Sequence, residues 1–144
     1  MYAQELPKFL GAALNGFAVP AGDGRIALTC RRELAEGAAV LLSGNGPANL
    51  EYTLNAGQTY SFQELADSLS RLSGQHVRYE DVSSEAFIDA RITAGWPPTA
   101  ARFVEAWFYA IKKGAFDEAS HSLERLLGRK PKGLDEILHD AFLN

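Results

Sequence analysis

The sequence predicts an α/β fold: a small, mainly parallel sheet of about three short strands with flanking helices and a helical C-terminal tail. Three observations carry this. Stretches with a two-residue apolar period each precede a stretch with helical spacing, the order that builds strand and helix layers in turn. Residues 62 to 73 are bounded by helix start and stop signals. Beyond residue 98 the chain reads as an all-helical tail, its helices separated by short breaks. With 144 residues, 47% hydrophobic and 22% charged, the chain has the composition of an ordinary globular protein, and one domain spanning residues 1 to 144 is expected.

Residues 2 to 15 read as a helix with Leu6, Phe9, Leu10, Ala13 and Leu14 on one face and Gly16 as its stop. The turn AGDG at 21 to 24 leads into an alternating stretch, Arg25 to Cys30, and Glu33 to Leu42 returns to helical spacing until Gly44, Gly46 and Pro47. Leu50, Tyr52 and Leu54 alternate with Glu51, Thr53 and Asn55, the pattern of a strand with one wetter face. Ser61 and Glu64 stand in capping-box spacing before helix 62 to 73, and Gly74 closes it. Val77, Tyr79 and Val82 form the third strand, and Ser83 or Ser84 caps a helix running to about Ala94. After Gly95, Pro97 and Pro98 comes the strongest amphipathic stripe: Ala100, Phe103, Val104, Trp107, Phe108 and Ile111. Short helices near 119 to 127 and 134 to 142, separated by GRKPKG, complete the chain. Parallel sheets are normally covered on both faces and extended by more strands, so three short strands call for additional ones.

Composition excludes several function classes. A net charge of −4 repels phosphate backbones and anionic membrane surfaces, so no nucleic acid partner is expected. The basic cluster Arg129, Lys130 and Lys132 is broken by Pro131 and reads as a solvated connection. The single cysteine, Cys30, cannot form an internal disulfide and reads as a core residue of a cytoplasmic protein. No apolar run reaches the length of a membrane span, and Gln4, Glu5, Pro7 and Lys8 stand where a signal peptide would be hydrophobic.

The chemistry-bearing motifs are incomplete. A dinucleotide site needs a glycine-rich turn after a strand and before a helix; GDG at 22 to 24 precedes a strand, and GNG at 44 to 46 follows a helix and lacks the third glycine. Tyr109 and Lys113 make a YxxxK spacing with no catalytic serine segment upstream and Gly114 directly after the lysine. His76, His121 and His139 are scattered, without the spacing of metal ligands. Ser120 and Ser122 beside His121 read as caps, since no GxSxG elbow is present. Trp96, Trp107 and Phe108 read first as core, with an aromatic pocket for a flat ligand as the second reading.

The runs TYSFQELADSLSRLSGQHVRYEDVSSEAF, AGWPP, KKGAFDEAS and LERLLGRKPKGLDEIL, in this order and spacing, resemble the C-terminal half of NmrA-like proteins. These are atypical short-chain dehydrogenases/reductases, here of the NAD(P)H:quinone oxidoreductase type. MYAQELP resembles the tail of a family segment, with Tyr2 at its aromatic position and Glu5 where the family tends to have Asn. GDGRIALTCRRELAEGAA matches another at Arg25 and Arg31, with Glu33 in place of the usual Asp.

The resemblance implies that Tyr2 lies near the nicotinamide or substrate of a complete protein, with Arg25 and Arg31 near the same cleft. Trp96 and Trp107 are the aromatic candidates to hold a flat acceptor. Glu33 reads more simply as the polar first turn of a helix. The resemblance begins at Tyr2, so the dinucleotide-binding half has no counterpart in these residues. It therefore implies a substrate-side lobe that binds no cofactor alone and is catalytically silent, NADP(H) belonging to full-length members. Two alternatives stand beside it: a quinone reductase whose site is completed by oligomerisation, and a redox-sensing regulatory module. A homo-oligomer or a complementary chain is the expected partner, with a flat small molecule such as a quinone as ligand.

Overall fold

A computed structural model describes residues 2–11, 13–44 and 49–143. The chain opens with a 3-10 turn, Ala3–Glu5, that runs into α1 (Leu6–Leu10), and a second 3-10 turn follows at Ala13–Asn15. The single helix expected over residues 2 to 15 is thus interrupted. Pro7 sits in the first turn of α1 and Gly11 ends it at φ 70°, a conformation that glycine adopts without steric cost. The predicted inward residues Leu6, Leu10 and Ala13 are buried.

Among the described residues four strands of three residues follow, β1 (Phe17–Val19), β2 (Arg25–Ala27), β3 (Thr59–Ser61) and β4 (Tyr79–Asp81), forming two separate pairs. β1 and β4 are parallel, with Phe17 opposite Tyr79 and Val19 opposite Asp81. β2 and β3 are antiparallel, with Arg25 opposite Ser61 and Ala27 opposite Thr59. An isolated parallel bridge joins Tyr2 to Thr29. The segment Leu50 to Leu54, expected as the second strand, belongs to neither pair. Its alternation survives only in part: Leu50 is 62% exposed, while Tyr52 and Leu54 are half-buried. A strand is defined by its neighbour, and none of the described strands lies beside this one. The GNG turn expected at 44 to 46 falls, beyond Gly44, outside the described residues.

The helices are α2 (Arg31–Leu42), α3 (Phe62–Ser73), α4 (Ser84–Thr93), α5 (Pro98–Lys112), α6 (Ser122–Leu127) and α7 (Leu134–Phe142). They pack as α2 on α6, α3 on α7 and α4 on α5. A Cβ at Gly37 would lie 2.7 Å from Leu123 Cδ1, so the bare backbone at Gly37 lets α6 seat closely on α2. One continuous core gathers Leu6, Ile26, Phe62, Leu65, Phe108 and Leu138 from the strands and from α1, α3, α5 and α7. On α5 the buried residues are Ala101, Val104, Phe108 and Ile111. Phe103, expected on the inward stripe, is 62% exposed, because the apolar band is wider than the surface α5 covers.

The start of α3 is as the spacing predicts. Ser61 Oγ accepts from the Glu64 amide at 3.2 Å, the Ser61 amide donates to Glu64 Oε2 at 2.7 Å, and Gly74 closes the helix at φ 69°. The Ser61 amide is the main cause holding the Glu64 carboxyl below the usual carboxylate range, with Arg25 adding to it. A depressed folded-state pKa contributes stability above the unfolded value and loses it as pH falls. Glu64→Ala, which removes the titrating carboxylate, is therefore expected to cost about 1 kcal/mol at neutral pH. The difference should narrow below roughly pH 4, as read from urea unfolding at the two pH values.

Candidate functional site

Two loops and the chain start enclose a cleft of about 220 Å³, with Tyr2, Thr29, Thr53, Asn55, Phe116 and Glu118 among the residues lining it. Each wall is fastened by a named bond. The Ala3 amide donates to the Thr29 carbonyl at 3.1 Å, and the Ala27 amide donates to the Phe116 carbonyl at 3.1 Å. Asn55 ties the remaining walls together: Nδ2 donates to the Glu118 carbonyl at 2.8 Å, while Oδ1 accepts from the Gly57 amide at 3.0 Å and the Ser120 amide at 2.8 Å. Every polar atom of that amide is engaged within the fold, which is why it is stable at 8% exposure.

Tyr2 is 49% exposed, and the Arg31 guanidinium carbon stands 4.9 Å from its ring centre. Arg31 also pairs with Glu5. Lys8 shares that carboxylate at 2.7 Å, and Lys8, with Arg31 beside it, holds the Glu5 carboxyl below its usual range. The position where the family tends to have Asn thus supplies the counter-ion that stations Arg31 over Tyr2.

The other sequence candidates fall elsewhere. Arg25 donates from Nη2 to the Thr59 carbonyl at 2.7 Å and from Nε to Thr59 Oγ1 at 3.2 Å, and pairs with Glu64 at 3.0 Å. It clasps β2, β3 and the start of α3, and it is not among the residues lining the cleft. Trp107 reaches the cleft indirectly, stacking on Phe116 at 5.6 Å on one side and on Phe9 at 5.9 Å on the other. Trp96 pairs with Arg91 instead, 5.1 Å from the guanidinium carbon to the ring centre. Phe116, Thr53 and Asn55 were not legible as site residues: Thr53 and Asn55 fell on the wetter face of an expected strand, and Phe116 in a turn with no periodic pattern.

A larger hollow of about 610 Å³ lies beside Cys30, Glu33 and Arg129. Glu33, 3% exposed, accepts from Arg129 Nη1 at 2.6 Å and from the Lys132 amide at 3.1 Å. Arg129 reaches Glu36 at 2.6 Å as well, and Lys132 pairs with Asp140. The connection read from sequence as merely solvated is in fact bound to α2 through a buried carboxylate. The hollow is lined by as many carboxylates as cations, Arg129 and Lys132 being paired with them, so it is no anion cradle. Burial raises the pKa of the Cys30 thiol, against a role as nucleophile.

The remaining motifs resolve into structural contacts. Lys113 Nζ lies 5.5 Å from the ring centre of Tyr109, which is 54% exposed. His121 Nδ1 faces Glu124 at 3.1 Å, and Ser120 Oγ accepts from the Ser122 amide at 3.2 Å. Among the described residues no group of three side chains is placed to hold a metal ion, and no helix is long and apolar enough to cross a membrane.

The GDG turn does not fit a dinucleotide pyrophosphate. The Gly22 amide, which would have to face a phosphate, donates to Asp81 Oδ1 at 2.8 Å, and the turn leads into β2 rather than into a helix. A carboxylate at that amide repels the anion the turn would have to hold.

No protein-family model matches the chain. It is 29% identical over 134 residues to quinone oxidoreductase 2 of Escherichia coli, covering 93% of this chain and 44% of that protein. Over 68 residues it is 38% identical to an NmrA-like family domain-containing oxidoreductase of Aspergillus flavus, covering 47% of this chain and 22% of that one. The fold superimposes on the E. coli NADPH-dependent quinone oxidoreductase complexed with NADPH with a TM-score of 0.88 at 29% identity, covering 98% of this chain and 50% of that one. The chain thus spans about half the length of the relatives and solved structures it matches. In sequence and in fold it is a relative of the NmrA-like and quinone oxidoreductases, corresponding to about half of such a protein, and a C-terminal fragment fits that match.

Proposed function

We propose that this chain is the substrate-side lobe of an NAD(P)H-dependent oxidoreductase. It is a single domain that receives a flat acceptor such as a quinone and stays catalytically silent until a dinucleotide-binding half completes it. The observation that carries this reading is the cleft, which sets Tyr2, Thr29 and Phe116 around one space. At about 220 Å³ it is smaller than the roughly 300 Å³ at which drug-sized pockets begin, so it suits a compact acceptor of one or two rings. Phe116, backed by Trp107, offers an aromatic wall, and the hydroxyls of Tyr2 and Thr53 are donors for a quinone carbonyl.

The match to an NADPH-bound quinone oxidoreductase over half of its chain supports NADP(H) as the donor. The occupied Gly22 amide supports placing its phosphates on other residues than these. Among the described residues the parallel pair β1–β4 is two strands wide, and its edges are where a strand from that other half, or from a second copy, would add. A dimer or larger assembly is expected by light scattering at tens of micromolar.

Tryptophan fluorescence tests the cleft. Because Trp107 stacks on Phe116, 1,4-naphthoquinone is expected to quench it saturably. Phe116→Ala should weaken that binding about tenfold, some 1.4 kcal/mol. NADPH titrated into the chain alone should give no heat of binding, and mixing NADPH with naphthoquinone should show no turnover above background. Stoichiometric NADPH binding by this chain alone would sink the lobe reading. Quenching unchanged in Phe116→Ala would remove the acceptor from the cleft.

A further inference from the structure

The geometry points to a second ligand site, a pocket for a small monocarboxylate between α1, β1 and α4, with Arg91 as its anion-binding group. A cavity of about 300 Å³ is lined there by Leu10, Phe17, Val82, Phe87, Ala90 and Arg91 and by further small residues. Arg91 is the one charged residue among them. This space shares no lining residue with the aromatic cleft.

The state of Arg91 carries the argument. Arg25, Arg31, Arg32, Arg71 and Arg129 each have a carboxylate partner, and Arg78, Arg102 and Arg125 are exposed. Arg91 is half-buried, and among the described residues no carboxylate stands at ion-pairing distance from it. Burial lowers its guanidinium pKa from the ordinary arginine value, the sign of a cation taken partly out of water without compensation.

The same side chain is held in place. Nη2 donates to the Phe9 carbonyl at 2.9 Å, and the rings of Phe87 and Trp96 lie 4.9 and 5.1 Å from the guanidinium carbon. These contacts fix the plane of the group and account for one of its five N–H donors. An anchored guanidinium with spare donors beside an apolar cavity matches a planar carboxylate on an apolar body, because the fork of the arginine and the two carboxylate oxygens pair side by side. A single positive charge balances a single negative one. A phosphate dianion would leave charge uncompensated against apolar walls, which is costly.

Phenylacetate and its neutral isostere phenylacetamide test this, using calorimetry and the arginine Nε–H region of the nitrogen-correlated proton spectrum. Phenylacetate is expected to bind saturably and to shift one arginine Nε signal, with phenylacetamide at least about tenfold weaker. Arg91→Met should reduce phenylacetate binding by a similar factor. Ala90→Leu, a change at an exposed helix position on the cavity wall, should also reduce it while leaving Arg91 in place. Equal binding of the acid and the amide, unchanged affinity in either variant, or no shift of an arginine signal at millimolar phenylacetate overturns the proposal. The naphthoquinone quenching of Trp107 should be unaffected by Ala90→Leu, so failure here is distinct from failure of the cleft.

Discussion

Phe62→Ala is expected to cost about 3–5 kcal/mol of folding stability, the largest loss of any single truncation in the core. Phe62 is fully buried at the N-terminus of α3, and its ring centre lies 5.6 Å from that of Phe108, 5.9 Å from that of Tyr79 and 6.3 Å from that of Phe17. One ring therefore joins α3 to α5 and to both strands of the parallel pair. Removing it leaves a cavity walled by aromatic rings too rigid to fill it, which places the loss at the upper end of the range. Phe62→Leu retains most of the volume and should cost less than half as much. Urea denaturation followed by circular dichroism reads both, with the slope unchanged if only stability is altered. A loss below about 1.5 kcal/mol for Phe62→Ala would mean that the aromatic cluster does not organise the core.

Gly24→Ala is the second large effect, and it comes from backbone rather than side chain. A Cβ at position 24 would lie 2.6 Å from the Ile111 carbonyl oxygen and 2.8 Å from the Ala21 carbonyl oxygen. Neither atom can rotate away, so either the last turn of α5 shifts or the turn at 21 to 24 opens. The turn is pinned from several sides: the Gly24 amide donates to the Ala21 carbonyl at 2.9 Å, Tyr79 Oη donates to the Gly22 carbonyl at 3.0 Å, and Lys112 pairs with Asp81 at 3.2 Å. A cost of about 3 kcal/mol is expected, a fall of roughly 6–12 °C in the melting midpoint for a chain of this size. A midpoint within about 2 °C of the parent would show that the turn yields easily.

What the sequence revealed divides by the range of the interactions involved. The start and stop of α3 were legible because Ser61, Glu64 and Gly74 act on backbone groups within a few residues of themselves. The α/β class was legible from the alternation of elements. The pairing was not: β1 and β3 are three residues long and exist because Tyr79 to Asp81 and Arg25 to Ala27 lie alongside them. Residues 50 to 54 show the reverse case, a strand-like alternation that joins neither strand pair among the described residues.

The candidate site divides in the same way. Tyr2 and Arg31, expected near one cleft from the resemblance, touch each other, and Trp107 meets the cleft through Phe116. Arg25, matched to the same family segment as Arg31, is taken up by Thr59 and Glu64, partners 34 and 39 positions away that no local pattern announces. Glu33 read correctly as a first-turn carboxylate of α2, yet its partner Arg129 comes from a stretch that looks, by composition, like ordinary solvated linker.

Asn55 bears on how the acceptor of the proposed lobe would enter the aromatic space. Its amide welds the segment after Leu54 to the stretch around Glu118 and Ser120, so these two banks cannot part without breaking two part-buried hydrogen bonds. A swinging flap is thereby denied on that side. On the reading proposed for the cleft, an acceptor would instead enter past Tyr2, whose half-exposed ring lies beneath the Arg31 guanidinium.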